Sequence, residues 1–240
     1  MTALPTRKDE AWRYSDLQAV ARLWPVSAPV EIVVAAGEGA TRHLIADGGI
    51  HDFAIMLGAG ARMDLHVLNA GAGYGRITID VTLYDGAHFE FGAVQVGGGD
   101  ANLEIVTTVR HVEPNATSNQ VVRSVLGGSA TGSYLGKVAV ARDAQKTDSV
   151  QSVKAMLLSR QATANSKPEL EIYADDVKCA HGATVGELDK TALFYLAARG
   201  IPPVEAQTLL LQAFVSEVFA GAEAQEELEA AALAALRRLS

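Results

Sequence analysis

The sequence predicts an all-β core with helical ends, on three observations. From about Val30 to Ile172 apolar residues recur at every second position. Gly, Asn and Asp clusters cut this region into short runs, and after Gly186 the period becomes helical. No strongly amphipathic helix of ordinary length interrupts the strand-rich region, which disfavours a doubly wound α/β sheet with its crossover helices. The pattern divides the chain into a short helical and linker segment (1–29), a β core (30–187) and a C-terminal helical subdomain (188–240).

Residues 7–24 carry mixed charges with Trp12, Tyr14 and Trp24, and read as a short helix or two ahead of a linker at Pro25–Pro29. The aromatic rings are expected to dock this terminus onto the body. In the core, Ile77, Ile79, Val81 and Leu83 alternate with Thr78, Asp80 and Thr82, and Leu103, Ile105, Thr107 and Val109 repeat the pattern, as strands with one buried face do. A loose repeat runs through the same region. Gly60-Ala61-Arg62-Met63-Asp64-Leu65 resembles Gly86-Ala87-His88-Phe89-Glu90-Phe91, and both resemble Asp100-Ala101-Asn102-Leu103-Glu104-Ile105. Each sets a turn residue and Ala before an apolar–charged–apolar triplet. The spacings of 26 and 14 residues are unequal, so this pattern fits a β-helix and a β-sandwich about equally.

Beyond the core, Arg199-Gly200 followed by Pro202-Pro203 marks a helix stop and restart. Ala206, Leu209, Leu210, Ala213, Phe214 and Val218 form one apolar stripe at three- and four-residue spacing. Leu228, Ala232, Leu236 and Leu239 form another, with Glu226, Glu227 and Glu229 off that face.

Composition narrows the function. The 240 residues are 49% hydrophobic, enough for a sizeable core, and the net charge of −8 argues against nucleic acid and anionic membrane surfaces as partners. The longest apolar stretches fall far short of the roughly 20 residues of a membrane span. Charges in MTALPTRKDEAWRY occupy the place of a signal peptide's apolar region, and a single cysteine excludes an intrachain disulfide, so a cytoplasmic location is expected. The glycosylation sequon at Asn115-Ala116-Thr117 is then a chance match.

Most catalytic constellations are absent. Gly132-Ser133-Tyr134-Leu135-Gly136-Lys137 misses the phosphate-loop spacing, and Val138 replaces the hydroxyl residue that would bind magnesium. Gly71-Ala72-Gly73-Tyr74-Gly75 lacks the last glycine of a dinucleotide fingerprint, so no nucleotide hydrolysis by this chain is expected. The six histidines form no HExxH or HxxxH array. Asp175 and Asp176 are adjacent and would face opposite sides of a strand, which suits a turn better than acid–base work. Ser133 and Ser149 have no recognisable partner base.

One pair is left. In an extended segment Val177, Cys179 and His181 point the same way, roughly 6.5–7 Å apart per pleat, and a thiolate and an imidazole so placed can converge on one metal. Two ligands do not close a tetrahedral shell, so a metal held here needs ligands from another molecule. Without further context the plainer account is a small buried thiol beside a hydrogen-bonded histidine.

Context comes from motifs in order along the chain. Ala174-Asp175-Asp176-Val177-Lys178-Cys179-Ala180-His181-Gly182-Ala183-Thr184-Val185-Gly186, then Leu193-Phe194-Tyr195-Leu196 and Arg199-Gly200-Ile201, closely resemble the SufB/SufD family of iron–sulfur cluster assembly proteins, the SufD branch in particular. Ala144-Gln145-Lys146-Thr147, Leu157-Leu158-Ser159 and Pro168-Glu169-Leu170-Glu171-Ile172 match upstream, and Arg7-Lys8-Asp9-Glu10 with Trp12-Arg13-Tyr14 resembles the family's RKxExWxY motif. The resemblance covers nearly the whole chain. It implies a right-handed parallel β-helix followed by a C-terminal helical subdomain, with dimerisation through β-helices and a cluster-forming site at that junction.

The resemblance further implies a non-enzymatic scaffold subunit of the SUF system that pairs with a SufB-like subunit and docks the SufC-like ATPase through its C-terminal helices. Metal ligands would be His181 and Cys179, shared across the interface and active only in the complex. Partner-binding residues would be Phe194, Tyr195, Arg199 and Phe214. The iron–sulfur cluster would be transient, with none expected in the isolated chain, and a homodimer is one form open to the chain alone. SufD-type members usually carry a helical segment ahead of the RKxExWxY motif, which begins here at Arg7. The rival readings are a β-helical carbohydrate-binding or carbohydrate-active protein, poorly matched by 6% aromatic residues, and a structural adaptor with no metal role.

Overall fold

The computed structural model describes residues 3–239; Met1, Thr2 and Ser240, at the ends of the first and last expected segments, lie outside the described residues. Twelve strands form two six-stranded parallel sheets. Strands β1 (Val30–Val34), β3 (Gly49–Leu57), β5 (Tyr74–Leu83), β7 (Asn102–His111), β9 (Thr131–Val140) and β11 (Thr163–Ile172) make one sheet. Strands β2 (Gly39–Ala46), β4 (Arg62–Asn69), β6 (His88–Gly97), β8 (Thr117–Leu126), β10 (Asp148–Leu157) and β12 (Lys178–Gly186) make the other. Consecutive strands alternate between sheets, so each coil contributes one strand to each: the fold is the parallel β-helix expected from the resemblance, and the β-sandwich is excluded.

The unequal repeat now has a geometric reason. Gly60-Ala61 and Gly86-Ala87 enter neighbouring strands of one sheet, with Met63 paired to Phe89 and Leu65 to Phe91, so their spacing is a whole coil. Asp100-Ala101 enters β7 in the opposite sheet, so its spacing is half a coil. The first corner recurs at Asn115-Ala116 and Lys146-Thr147. Gly60, Gly86, Asn115 and Lys146 all have positive φ, at 69, 64, 62 and 64°, and the amide of each is held by a carbonyl of the next coil. The following Ala61, Ala87, Ala116 and Thr147 are buried, where a larger side chain would crowd the corner.

Alternation in each strand sends one set of side chains into the lumen. Ile77, Ile79, Val81 and Leu83 are fully buried there, with Phe89 and Phe91 stacked at 6.1 Å between ring centroids. The near-miss for a phosphate loop lies within β9, in the stack, where Gly136 leaves room for the Tyr134 ring: a Cβ there would sit 2.1 Å from the Tyr134 hydroxyl. His111 also faces the lumen, 3.0 Å from Ser118 Oγ. Burial lowers its pKa to about 4, opposed by a backbone hydrogen bond at Ala116.

Terminal segments cover part of each outer face. A 3-10 turn (Glu10–Trp12) and helix α1 (Leu17–Leu23), capped by Asp16, lie on the sheet containing β5 and β7. There Trp12 stacks over the Arg76 guanidinium at 3.9 Å, and Ser15 donates to Glu104 at 2.9 Å beside the buried Arg76–Glu104 pair. The expected docking role of Trp12 is observed. Burial pushes the Glu104 carboxyl upward, opposed by Arg76. The other sheet is covered by α3 (Pro203–Phe219) and α4 (Gln225–Arg237), whose Leu211, Val215, Phe219, Leu228 and Leu236 pack on Leu68, Val94, Val96 and Val125. Each such side chain contributes roughly 1.5–3 kcal/mol of burial. Gly92 permits the approach, since a Cβ would lie 2.8 Å from the Val218 carbonyl.

The stripe read on α3 is corrected. Leu209 and Ala213 are exposed, and the buried residues are Ala206, Leu211, Val215, Val218 and Phe219. The helix is apolar around most of its circumference, so spacing alone does not select the face. The α4 stripe holds: Leu228, Ala232 and Leu236 are buried and Leu239 is half-buried.

Glu104→Leu is expected to lower the unfolding free energy by about 3–5 kcal/mol, because Arg76 stays buried and charged, whereas Arg76→Met combined with Glu104→Leu recovers most of the loss. Trp12 and Trp24 are the chain's two tryptophans and share the N-terminal segment, so urea unfolding followed by tryptophan fluorescence reads this effect. A second expectation concerns His111. Its folded-state pKa lies below the ordinary 6.5, so the unfolded chain binds more protons between pH 6.5 and about 4. Stability should therefore fall by about 3 kcal/mol as pH drops through that window, and His111→Gln should remove this component in urea titrations at pH 7 and 4.

Candidate functional site

The candidate site is the last rung of the lumen. Its geometry begins one coil earlier, at Ala144-Gln145-Lys146-Thr147. The Lys146 amide donates to the Asp176 carbonyl at 2.7 Å, Gln145 Oε1 accepts from the Asp176 amide at 3.0 Å, and Lys146 and Asp176 form an ion pair. The Thr147 hydroxyl donates to the Ala144 carbonyl, and the Thr147 carbonyl receives the Lys178 amide at 2.8 Å. This corner clamps the bend at Asp175-Asp176, as expected of a turn, and launches β12 in register with β10. Leu157-Leu158-Ser159 performs a similar task on the other corner: Ser159 Oγ accepts from the amides of Gln161 and Ala162 and donates to the Gly128 carbonyl.

Strand β12 is the terminal member of its sheet. Cys179 pairs with Ser149 and His181 with Gln151, both buried lumen residues, so the thiol and imidazole belong to the inward set, as alternation predicts. Among the described residues no further coil lies over them. Cys179 is half-buried against Val138, Val140, Ala144 and Ala174, while His181 is exposed. Burial pushes the Cys179 thiol above its usual pKa, with Asp148 adding to the effect and the Ser149 backbone opposing it. A thiol with a raised pKa is less ionised at neutral pH and so a poorer nucleophile. Val150, Ile172, Tyr173 and Val185 are exposed apolar residues on or beside the two terminal strands.

Among the described residues no group of three or more His, Cys, Asp or Glu could hold a metal ion. Cys179 and His181 are thus at most part of a coordination shell. Ser149 and Ser133, weighed as nucleophiles, are fully buried; Ser149 Oγ lies 2.8 Å from Ser118 Oγ, and Ser133 Oγ accepts from Asn165.

The expected partner-binding residues lie elsewhere. Helix α2 (Lys190–Ala198), capped by Asp189 Oδ1 accepting from the Thr191 amide at 2.8 Å, packs against α3. Phe194 is 75% exposed and Tyr195 56%, the latter under the Arg199 guanidinium at 4.8 Å; Val204 and Leu209 extend the apolar surface. Phe214 is half-buried on α3, facing the Arg123 guanidinium. Sequence reasoning missed the buried Ser118, Gln120 and Gln151, and weighed Ser149 only as a nucleophile; their signal is a run of polar residues at the inward phase of β8 and β10.

Two parallel sheets wound into one solenoid, with helices packed on an outer face, place the chain among the β-helix proteins. The chain belongs to the SufB/SufD family: a domain model described as "SUF system FeS cluster assembly, SufBD core domain" matches residues 49–214. That match leaves the RKxExWxY-like segment at Arg7 outside it. Similar proteins include an iron–sulfur cluster assembly SufBD family protein of Synechocystis, 35% identical over 166 residues, covering 69% of this chain and 37% of that protein. The iron–sulfur cluster assembly protein SufD of Escherichia coli is 38% identical over 112 residues, covering 47% and 26%. SufD of Bacillus subtilis is 31% identical over 134 residues, covering 56% and 31%. The chain therefore matches only about a quarter to two fifths of the length of these relatives. The carbohydrate-active alternative is not favoured by these comparisons. No described helix is long and apolar enough to cross a membrane.

An edge strand that lacks a neighbour on one side exchanges its amides more readily than an interior one. In hydrogen–deuterium exchange of the isolated chain, peptides spanning 178–186 should label well before those spanning 117–126. Equal protection of both would show that the edge is already covered.

Proposed function

We propose that the chain is a non-catalytic scaffold subunit of a cytoplasmic SUF iron–sulfur assembly complex, pairing with a SufB-like subunit through its terminal rung. The observation that carries this reading is the position of Cys179 and His181 on an uncovered strand, in phase with each other and short of a full ligand set. Neutral imidazole from His181 donates to iron of the nascent cluster, and the Cys179 thiolate is the second donor from this chain. The partner subunit supplies the remaining ligands, and the cluster is cargo, formed at the junction and passed on. Exposed apolar residues around the rung support burial against a second chain, and two such chains can meet there as a homodimer when no SufB-like partner is present.

Phe194, Tyr195 and Arg199, with the half-exposed Phe214, form the proposed docking surface for a SufC-like ATPase. Aromatic and arginine side chains at such exposure are the residue types that dominate interface energetics. Nucleotide-driven movement of the ATPase reaches the cluster site only if the two states differ in contacts at both places.

The test is co-expression with SufB-like and SufC-like subunits and cluster reconstitution on the purified complex. His181→Ala should reduce cluster yield by about tenfold or more with subunit composition unchanged. Phe194→Ala with Tyr195→Ala should weaken retention of the ATPase by about tenfold. Undiminished cluster formation with His181→Ala removes His181 from the site. Retention of the ATPase with no effect of either Cys179 or His181 changes favours the structural adaptor.

A further inference from the structure

The inward positions of one sheet form two columns that end at the proposed ligands. One runs Met63, Phe89, Ser118, Ser149, Cys179; the other runs Leu65, Phe91, Gln120, Gln151, His181. Both are apolar in the early coils and turn polar in the coils beneath the last rung. A lumen closed by apolar side chains would avoid the cost of burying amides and hydroxyls, which is tolerable only when they are hydrogen-bonded.

The second column is held by a network across the lumen. Thr107 Oγ1 and Tyr134 OH donate to Gln120 Oε1 at 2.8 and 3.1 Å, and Gln151 Nε2 donates to Tyr134 OH at 3.2 Å. With its single proton on Gln120, the tyrosine oxygen is an acceptor toward Gln151, which orients the Gln151 amide. Gln151 Oε1 is buried with no hydrogen-bond partner, in a residue that is 1% exposed; Gln120 Nε2, in register on the other side, is likewise without one. Its in-register neighbour on β12 is His181, one strand spacing away, roughly 4.8 Å.

We propose that Gln151 is a positioning residue for His181: its free Oε1 accepts the ring N–H of His181 when the other ring nitrogen binds iron. The inference rests on the cluster-site reading above. An imidazole that ligates a metal through one nitrogen is nearly always oriented by an acceptor on the other, which fixes the tautomer and the plane of the ring. His181 is otherwise an exposed side chain on an edge strand, free to rotate. The buried carbonyl supplies the missing constraint from inside the solenoid, while Tyr134 keeps the amide from turning its nitrogen toward the ligand.

The experiment uses the chain purified with its SufB-like and SufC-like subunits and ferrous iron as the probe, with Gln151→Leu, Gln151→Glu, Tyr134→Phe and His181→Ala compared. Gln151→Leu keeps the side-chain volume and removes the acceptor. It should weaken iron binding roughly 10–100-fold and alter the histidine-nitrogen hyperfine coupling of the reduced cluster, with thermal midpoint and subunit composition unchanged. Gln151→Glu restores an acceptor and should recover most of the affinity. If Gln151→Leu does not fold, Tyr134→Phe carries the test, since it releases the amide and should change the same nitrogen coupling. Wild-type affinity and coupling in these variants, with His181→Ala impaired, overturns the positioning role alone. Wild-type iron binding by His181→Ala overturns it together with the cluster-site reading.

Discussion

In-register stacking of parallel strands is the constraint on which this molecule depends. Every lumen side chain lies against its counterpart one coil away, so the interior is a set of columns rather than a mixed core. A column tolerates like on like: Phe89 and Phe91 pack on Met63 and Leu65, and Gln120 pairs with Gln151. It also transmits position. Corner residues in the left-handed region, with small buried residues after them, keep the coils from slipping. A one-residue slip would turn every inward side chain outward.

This constraint decides which surfaces are free. The outer face of one sheet is taken by the N-terminal segment through Trp12 and the Arg76–Glu104 pair, and that of the other by α3 and α4. Exposed apolar side chains lie at the last rung, on the exposed side of α2 and, at the opposite end, on the first strands at Val30, Val33 and Met56. Cys179 and His181 therefore occupy an end, not a groove, and an end of a solenoid is a place to meet another chain.

Much of this was legible in the residues. Period-two alternation located the strands, glycines marked corners, and the single Cys–x–His pair was correctly phased to one face. The choice of β-helix over β-sandwich was not legible, because alternation is the same in both and only pairing at coil spacing separates them. That spacing was masked chemically: positive φ is supplied by Gly60 and Gly86, then by Asn115 and Lys146, so the repeat fades by residue type while persisting in backbone shape. The face of α3 was misread because Leu209 and Leu211 are equally apolar and only the docking of Leu211 on the sheet distinguishes them. In β8 the inward set includes Ser118 and Gln120 while Val121 and Val125 lie on the opposite phase, which inverts the usual rule and hid the polar columns.

The corner that recurs at Gly60, Gly86, Asn115 and Lys146 makes each coil an interchangeable module, bonded only to the one before and the one after. Whole coils can be gained or lost in such an array without redrawing the terminal one, much as a stack of trays changes height while its top tray keeps its shape. Relatives of very different length can then share one terminal rung, and natural variation in this family is expected to come in coil-sized steps.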